Sequence, residues 1–169
     1  MIPMTVLGLT LDAESQAPIL VLQQDGGSEI MPIWIGAAEA LSISVALNKV
    51  EMDRPLTHET MLRAINALGG VVKAVELTDV KGGTYFAQLE LAVSDCVSRL
   101  DCRPSDGIAL AVRCDAPIRV APEVLEKTAA TRAEQRGEDL LTSFIPEQPS
   151  EQILAGLLES MEPASRFKM

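Results

Sequence analysis

Residues 71–93 read VVKAVELTDVKGGTYFAQLELAV. Val71 to Val80 and Thr84 to Val93 are rich in β-branched and aliphatic residues, and Lys81-Gly82-Gly83 lies between them as a turn. Two such runs around a glycine pair predict neighbouring strands of a sheet. Downstream, Cys96 to Arg103 predicts another short strand, and Pro104 and Ser105 open an all-apolar helix over Ile108 to Val112. Upstream, the same order occurs once more. Met4 to Asp12, Ile19 to Gln24 and Glu29 to Ile35 read as strands, with Asp25-Gly26-Gly27 as a hairpin turn. Ala37 to Leu47 follows them and is apolar on every side, the mark of a buried helix. Three strands and a buried helix thus appear twice, and Glu39 in the first helix corresponds roughly to Asp106 in the second. The expected fold is α+β, with a mixed, mostly antiparallel sheet from two similar strand-strand-strand-helix halves and buried helices.

Between the halves, Thr57 is the expected N-cap of a helix whose apolar positions are Met61, Leu62, Ile65 and Leu68, stopped by Gly69-Gly70. Pro117 to Val120 predicts a last short strand, and Pro122 opens a helix over Glu123 to Ala130. After Thr131 the character changes: residues 131–169 read as an acidic linker and a short amphipathic helix with Ile153, Leu154, Leu157, Leu158 and Met161 on one side. Thr131 to Asp139 is charged and expected to be weakly structured. Residues 1–130 form the expected folded domain.

The chain holds 169 residues, of which 47% are hydrophobic and only 3% aromatic, so the core must be aliphatic. No apolar run is long enough to cross a bilayer, and Met1-Ile2-Pro3-Met4 lacks the basic start of a signal peptide. A cytoplasmic location with no membrane partner is expected. Cys96, Cys102 and Cys114 form no CxxC pair and are expected to be reduced, mostly buried thiols. The net charge of −10 repels nucleic acid at long range. A phosphate-bearing ligand would need a local basic patch, a metal ion, or both. P-loop, GxGxxG, HExxH and GxSxG motifs are absent, which argues against the commonest nucleotide, dinucleotide, zinc-protease and α/β-hydrolase chemistries.

Three polar clusters remain. In Asp101-Cys102-Arg103-Pro104-Ser105-Asp106, strand alternation places Asp101 and Arg103 on one face. Ser105 and the amides after Pro104 sit at a helix N-terminus, a natural anion site, and Arg103 adds a bidentate clamp. Asp106 would repel a phosphate unless a divalent cation lay between them. The plainer reading is an Asp101–Arg103 ion pair with Ser105 and Asp106 capping the helix. In Arg54-Pro55-Leu56-Thr57-His58-Glu59, the sole histidine stands in a helical first turn, where its charged form is disfavoured. His58 is a candidate base or metal ligand, or a surface capping residue. In Gly36-Ala37-Ala38-Glu39, a carboxylate opens a buried helix and needs a cation, with Arg54 or Arg113 as the obvious partners.

Met31-Pro32-Ile33-Trp34-Ile35-Gly36 with Glu39-Ala40, the Arg54-to-His58 segment, and the Asp101-to-Asp106 segment with Leu110-Ala111-Val112-Arg113 occur in one register. Together they resemble the bifunctional nuclease family, over about Met4 to Ala129. Glu59 stands where that pattern usually has Asp, and Gly107 where it usually has Ala. The resemblance implies a nuclease acting on RNA and DNA, an α+β fold and self-association into a homo-oligomer. Chemistry then suggests the roles. Glu39, Asp101 and Asp106 would hold Mg²⁺ or Mn²⁺, Arg54, Arg103, Ser105 and Arg113 would bind the phosphodiester, and His58 would move a proton. The rival is a non-catalytic scaffold or partner-binding module in which the same residues form an ion-pair network. The lack of aromatic stacking platforms favours it. A third reading is a small-anion sensor at the Arg103–Ser105 helix end.

Overall fold

A computed structural model of the chain describes residues 1–136 and 155–156. Its strands are β1 (Ile2–Leu11), β2 (Pro18–Gln24), β3 (Ile30–Trp34), β4 (Gly70–Lys81), β5 (Thr84–Val93), β6 (Cys96–Cys102) and β7 (Ile118–Val120). Its helices are α1 (Ala37–Leu47), α2 (Thr57–Ala67), α3 (Pro104–Cys114) and α4 (Pro122–Arg136).

The strands form one seven-stranded sheet in the order β3-β2-β1-β7-β4-β5-β6. Every neighbouring pair is antiparallel except β4 with β7. The two sequence halves are therefore two three-strand meanders on either side of β7, each feeding an 11-residue helix, α1 or α3. Gly82 and Gly83 both take positive φ where Lys81 pairs with Thr84, the two-residue turn that matches the right-handed twist of the flanking strands.

The core is aliphatic, as the composition requires. Leu9, Leu20, Leu22, Ile43, Leu77, Leu89, Ile108 and Leu110 are fully buried. α1 buries every residue from Ala40 to Val45. α3 lies so close to β4 that a Cβ at Gly107 would meet Val75 Cγ1 at 2.8 Å and Cys102 Sγ at 3.2 Å. Side-by-side packing of α1 and α3, with α2 laid against α3 and β4, is the arrangement that matters for chemistry.

Several expectations are corrected. Thr57 is the first helical residue of α2; the N-cap is Leu56, and no side chain caps the helix. The apolar positions of α2 do not form a buried stripe. Leu62 and Ile65 are half-buried, Met61 is 43% exposed because it lines a cleft, and Leu68, just past the last turn, is 81% exposed. The only buried residue of α2 is His58. The last helix runs through the stretch expected to be weakly structured, as far as Arg136. The linker and terminal amphipathic helix lie outside the described residues, apart from Ala155 and Gly156, which are helical. Among the described residues no helix is long and apolar enough to cross a membrane.

The thiols are free, but they are not mostly buried. Cys96 and Cys114 are exposed, and only Cys102 turns partly inward. Cys96 opens the edge strand β6 and Cys114 ends α3, where packing leaves side chains in solvent. Burial, aided by the Asp106 and Asp101 charges, pushes the Cys102 thiol up to about 11. Iodoacetamide at pH 8 is therefore expected to alkylate Cys96 at least about tenfold faster than Cys102, since the thiolate is the nucleophile. Peptide mass spectrometry over a time course would read the two rates.

Candidate functional site

Two helices begin beside each other with a carboxylate at the same place. Glu39 is the third residue of α1 and Asp106 the third of α3. Acids suit the positive end of a helix dipole. Neither helix has a side-chain N-cap; the capping positions are Gly36 and Arg103. Pro104 takes the first helical position, where its missing N–H is no loss.

Arg103 spans the two helix starts. Its Nε donates to Asp106 Oδ2 at 2.8 Å, and its Nη2 donates to Asp106 Oδ1 at 2.9 Å and to Glu39 Oε1 at 2.6 Å. The partner of Glu39 is thus Arg103, not Arg54 or Arg113. The paired helices bring residue 103 against the first turn of α1, 64 positions away in sequence. Two carboxylates also hold the Arg103 guanidinium above its ordinary value. Nη1 of Arg103 and Oε2 of Glu39 have no hydrogen-bond partner among the described residues.

Behind Asp106 stands His58. Its Nε2 meets Asp106 Oδ1 at 3.1 Å and its Nδ1 meets Ser42 Oγ at 2.9 Å. Both ring atoms are partnered inside the protein, and Ser42 is itself buried in α1. In the neutral ring the Nε2 proton faces the carboxylate and Nδ1 accepts the serine hydroxyl proton. Burial by itself would raise the Asp106 carboxyl, but the donors from Arg103 and His58 outweigh it and hold it below its usual range.

Arg113, in the last turn of α3, completes the chain. Its Nη2 donates to Ser42 Oγ at 2.9 Å and Ser42 O at 2.8 Å, and its Nη1 to Ala109 O at 2.6 Å. Desolvation lowers this guanidinium, against the pull of Glu59. Arg113, Ser42, His58, Asp106, Arg103 and Glu39 form one continuous polar chain. Four of these residues were candidates from the catalytic and binding clusters alike, and Arg113 was expected to bind substrate. Ser42 was missed. Its signal was a hydroxyl inside an otherwise apolar helix, which must find a partner when buried.

The exposed end of the chain opens on a cleft of about 360 Å³. Glu39, Thr57, His58, Arg103 and Asp106 form its polar side, and Leu41, Leu56 and Met61 its apolar side. α1, α2 and α3 all start at this cleft. A second cavity of about 510 Å³ lies at the C-terminal ends of α1 and α3, lined by Lys49, Glu59, Arg63, Asn66, Arg113 and Asp115 among others. It is the larger, but four candidate residues, Glu39, His58, Arg103 and Asp106, meet at the first.

Three expected residues stay outside the cleft. Ser105 is buried in the first turn of α3. Arg54 is exposed in the loop before α2 and makes no hydrogen bond or ion pair among the described residues. Asp101 is exposed on β6, opposite Gln88 of β5, and makes none either, so no Asp101–Arg103 pair forms. The trio expected to share a cation is therefore not assembled. Among the described residues no group of three His, Cys, Asp or Glu side chains could hold a metal ion. Glu39 and Asp106 do converge, but around a guanidinium. A divalent cation bridging them would have to displace Arg103, which already donates to three of their four oxygens, so this donor set does not fit one as arranged.

Residues 20–133 match the family model described as the bifunctional nuclease domain, a span that contains the whole polar chain. An uncharacterised protein of Mycobacterium tuberculosis is 34% identical over 138 residues, 82% of this chain and 82% of that one. Bifunctional nuclease 1 of Arabidopsis thaliana is 35% identical over 108 residues, 61% of this chain and 33% of that protein. Bifunctional nuclease 2 of Oryza sativa subsp. japonica is 32% identical over 117 residues, 67% of this chain and 36% of that protein. The match thus spans about a third of the length of these plant proteins.

Proposed function

Since this chain belongs to the bifunctional nuclease domain family, we propose that its three-helix cleft hydrolyses phosphodiester bonds of RNA and DNA. One observation carries the reading: three helix N-termini and a multiply hydrogen-bonded arginine meet at one cleft of a chain whose net charge is −10. First-turn amides and aligned dipoles favour an anion, and here they gather at a single place.

In this reading the two free N–H groups of Arg103 Nη1 and the first-turn amides of α1 and α2 bind the phosphate oxygens; in α3 Pro104 has no N–H and that of Asp106 donates to Arg103 O. Glu39 is the catalytic base, because Oε2 is its unpartnered oxygen and it borders the cleft. Asp106 fixes the planar fork of Arg103. His58, buried behind Asp106, acts through it and is a positioning residue, as are Ser42 and Arg113. No step is assigned to Mg²⁺ or Mn²⁺, and the divalent assistance expected from the sequence is a proposal that a chelator decides. Self-association and a cytoplasmic location belong to the same proposal; the three free thiols suit that compartment.

A non-catalytic scaffold is favoured by one feature, the internal pairing of both His58 nitrogens and of Asp106. The decisive assay follows cleavage of single-stranded RNA and DNA by purified protein in Mg²⁺, Mn²⁺ or EDTA, beside two variants. Glu39→Gln removes the base. Gly36→Ala places a Cβ where Glu39 Oε2 lies and pushes that carboxylate aside. Each is expected to lower turnover by about 100-fold, the usual scale of general-base catalysis, with little change in melting temperature. Cleavage that persists in EDTA would favour the arginine-based site, whereas loss in EDTA with rescue by Mn²⁺ would show a divalent requirement that the arginine-based arrangement does not meet. Equal cleavage by wild type and both variants would mean a contaminant and would sink the enzyme reading.

A further inference from the structure

The sheet ends in two unlike edges. β3, at one edge, buries Met31, Pro32 and Ile33, and Pro32 has no N–H to offer a neighbour. β6, at the other edge, has no proline, and six of its seven residues are exposed. Among the described residues no strand pairs with its outer side. Val97 is 63% and Leu100 55% exposed. An exposed edge with free backbone groups is a template for another strand; proteins often blunt it with lysine, proline or a bulge, and β6 has none of these.

The side-chain order on β6 suits one particular strand. The Cys102 side chain faces Gly107 of α3, so Leu100 shares that face and Arg99 and Asp101 lie on the opposite one. Asp101 is unpaired, as described above. Arg99 reaches Glu90 at 3.3 Å and Glu76 at 3.8 Å, yet its side chain remains 59% exposed.

We propose that β6 pairs antiparallel with β6 of a second copy of this chain, about a twofold axis through Leu100, joining two sheets into one. In that register Leu100 faces Leu100, Ser98 faces Cys102, and Arg99 of each copy faces Asp101 of the other. Charge selects this centring. An axis through Arg99 would oppose two guanidinium groups, one through Asp101 two carboxylates, and one through Ser98 would set Asp95 against Asp101. Directly opposed unlike charges stabilise a ladder and like charges destabilise it. Asp101, which the cleft leaves unused, thereby gains a partner. A twofold interface must be self-complementary, and a strand reading Arg-Leu-Asp about its centre is so. The surface is identified from the edge strand alone, and its test reads mass rather than turnover, so its failure would leave the nuclease reading standing.

The test uses the full chain. Sedimentation velocity is expected to give a dimer, and Asp101→Lys, which opposes Arg99 with a like charge in two symmetric places, is expected to raise the dissociation constant about tenfold or more. In a background carrying Cys96→Ser and Cys114→Ser, Leu100→Cys is expected to yield a covalent dimer on mild oxidation. Val97→Cys, far from its own copy in this register, is expected to stay monomeric on a non-reducing gel. Circular dichroism of each variant checks folding. A monomeric full chain at about 100 μM would overturn the proposal, as would a dimer indifferent to Asp101→Lys. So would equal cross-linking by Val97→Cys and Leu100→Cys.

Discussion

Arg103→Ala is expected to lower phosphodiester cleavage by about 10²–10³-fold, the scale found when one preorganised donor to a developing anion is removed. The loss should fall on kcat, because Arg103 also holds the two carboxylates. Without it Glu39 and Asp106 face each other across the cleft and repel both one another and the phosphate. Arg103→Lys should rescue little. An ammonium is a point charge and cannot satisfy Glu39 Oε1 and both Asp106 oxygens with one planar fork, as the guanidinium does through Nε and Nη2. The arginine side chain is largely solvent-exposed, so the melting temperature near neutral pH should change little. The acid side of the stability curve should change more. Asp106 is depressed in the folded protein, so its contribution is present above the ordinary carboxylate range and is lost as pH falls through the depressed value. Removing Arg103 shrinks that contribution, and the loss of stability on acidification should become shallower. Wild-type turnover in Arg103→Ala, at unchanged protein purity, would rule out the proposed site.

Leu110→Ala is expected to destabilise the fold by about 3 kcal/mol, within the range for deleting a leucine side chain from a tight core. In a domain of this size that corresponds to a drop of roughly 6–12 °C in melting temperature. Leu110 is 1% exposed and shares one cluster with Ile43 of α1 and Val75 and Leu77 of β4. The change removes packing at the centre of the helix pair that carries the site. Denaturant unfolding would measure it, and a loss under about 1 kcal/mol would mean that the core repacks freely around α3. Activity offers a second reading. α1 supplies Glu39 and α3 supplies Asp106, so their separation depends on this packing. Turnover of the variant should fall ahead of global unfolding as temperature rises.

Much of the fold is local enough to be read from the chain. Strand alternation, the Asp25-Gly26-Gly27 and Lys81-Gly82-Gly83 turns, and the apolar helices after the third and sixth strands each depend on neighbouring residues only. So does the presence of a carboxylate at the start of both buried helices. The bounds of α2 were legible for the same reason, but its inward face was not. Helical spacing grouped Met61 and Leu68 with Leu62 and Ile65, whereas burial depends on what lies opposite, and opposite Met61 is a cleft.

The site shows the same division. Residue type and position near element ends singled out Glu39, His58, Arg103, Asp106 and Arg113, and equally Asp101, Arg54 and Ser105, which the fold leaves outside the cleft. Their partners depend on how the helices pack. Arg103 reaches Glu39 because α1 and α3 pack with their N-termini together. Ser42 joins the chain because a buried hydroxyl in α1 happens to face both His58 and Arg113. Asp101 falls away because β6 ends at Cys102 and Arg103 is already the N-cap of α3, so the face that alternation would share is broken: Asp101 stays at the sheet edge while Arg103 turns into the cleft. Alternation and helical spacing are set by backbone geometry within a few residues, whereas hydrogen-bond partners are set by the packing of elements dozens of residues apart.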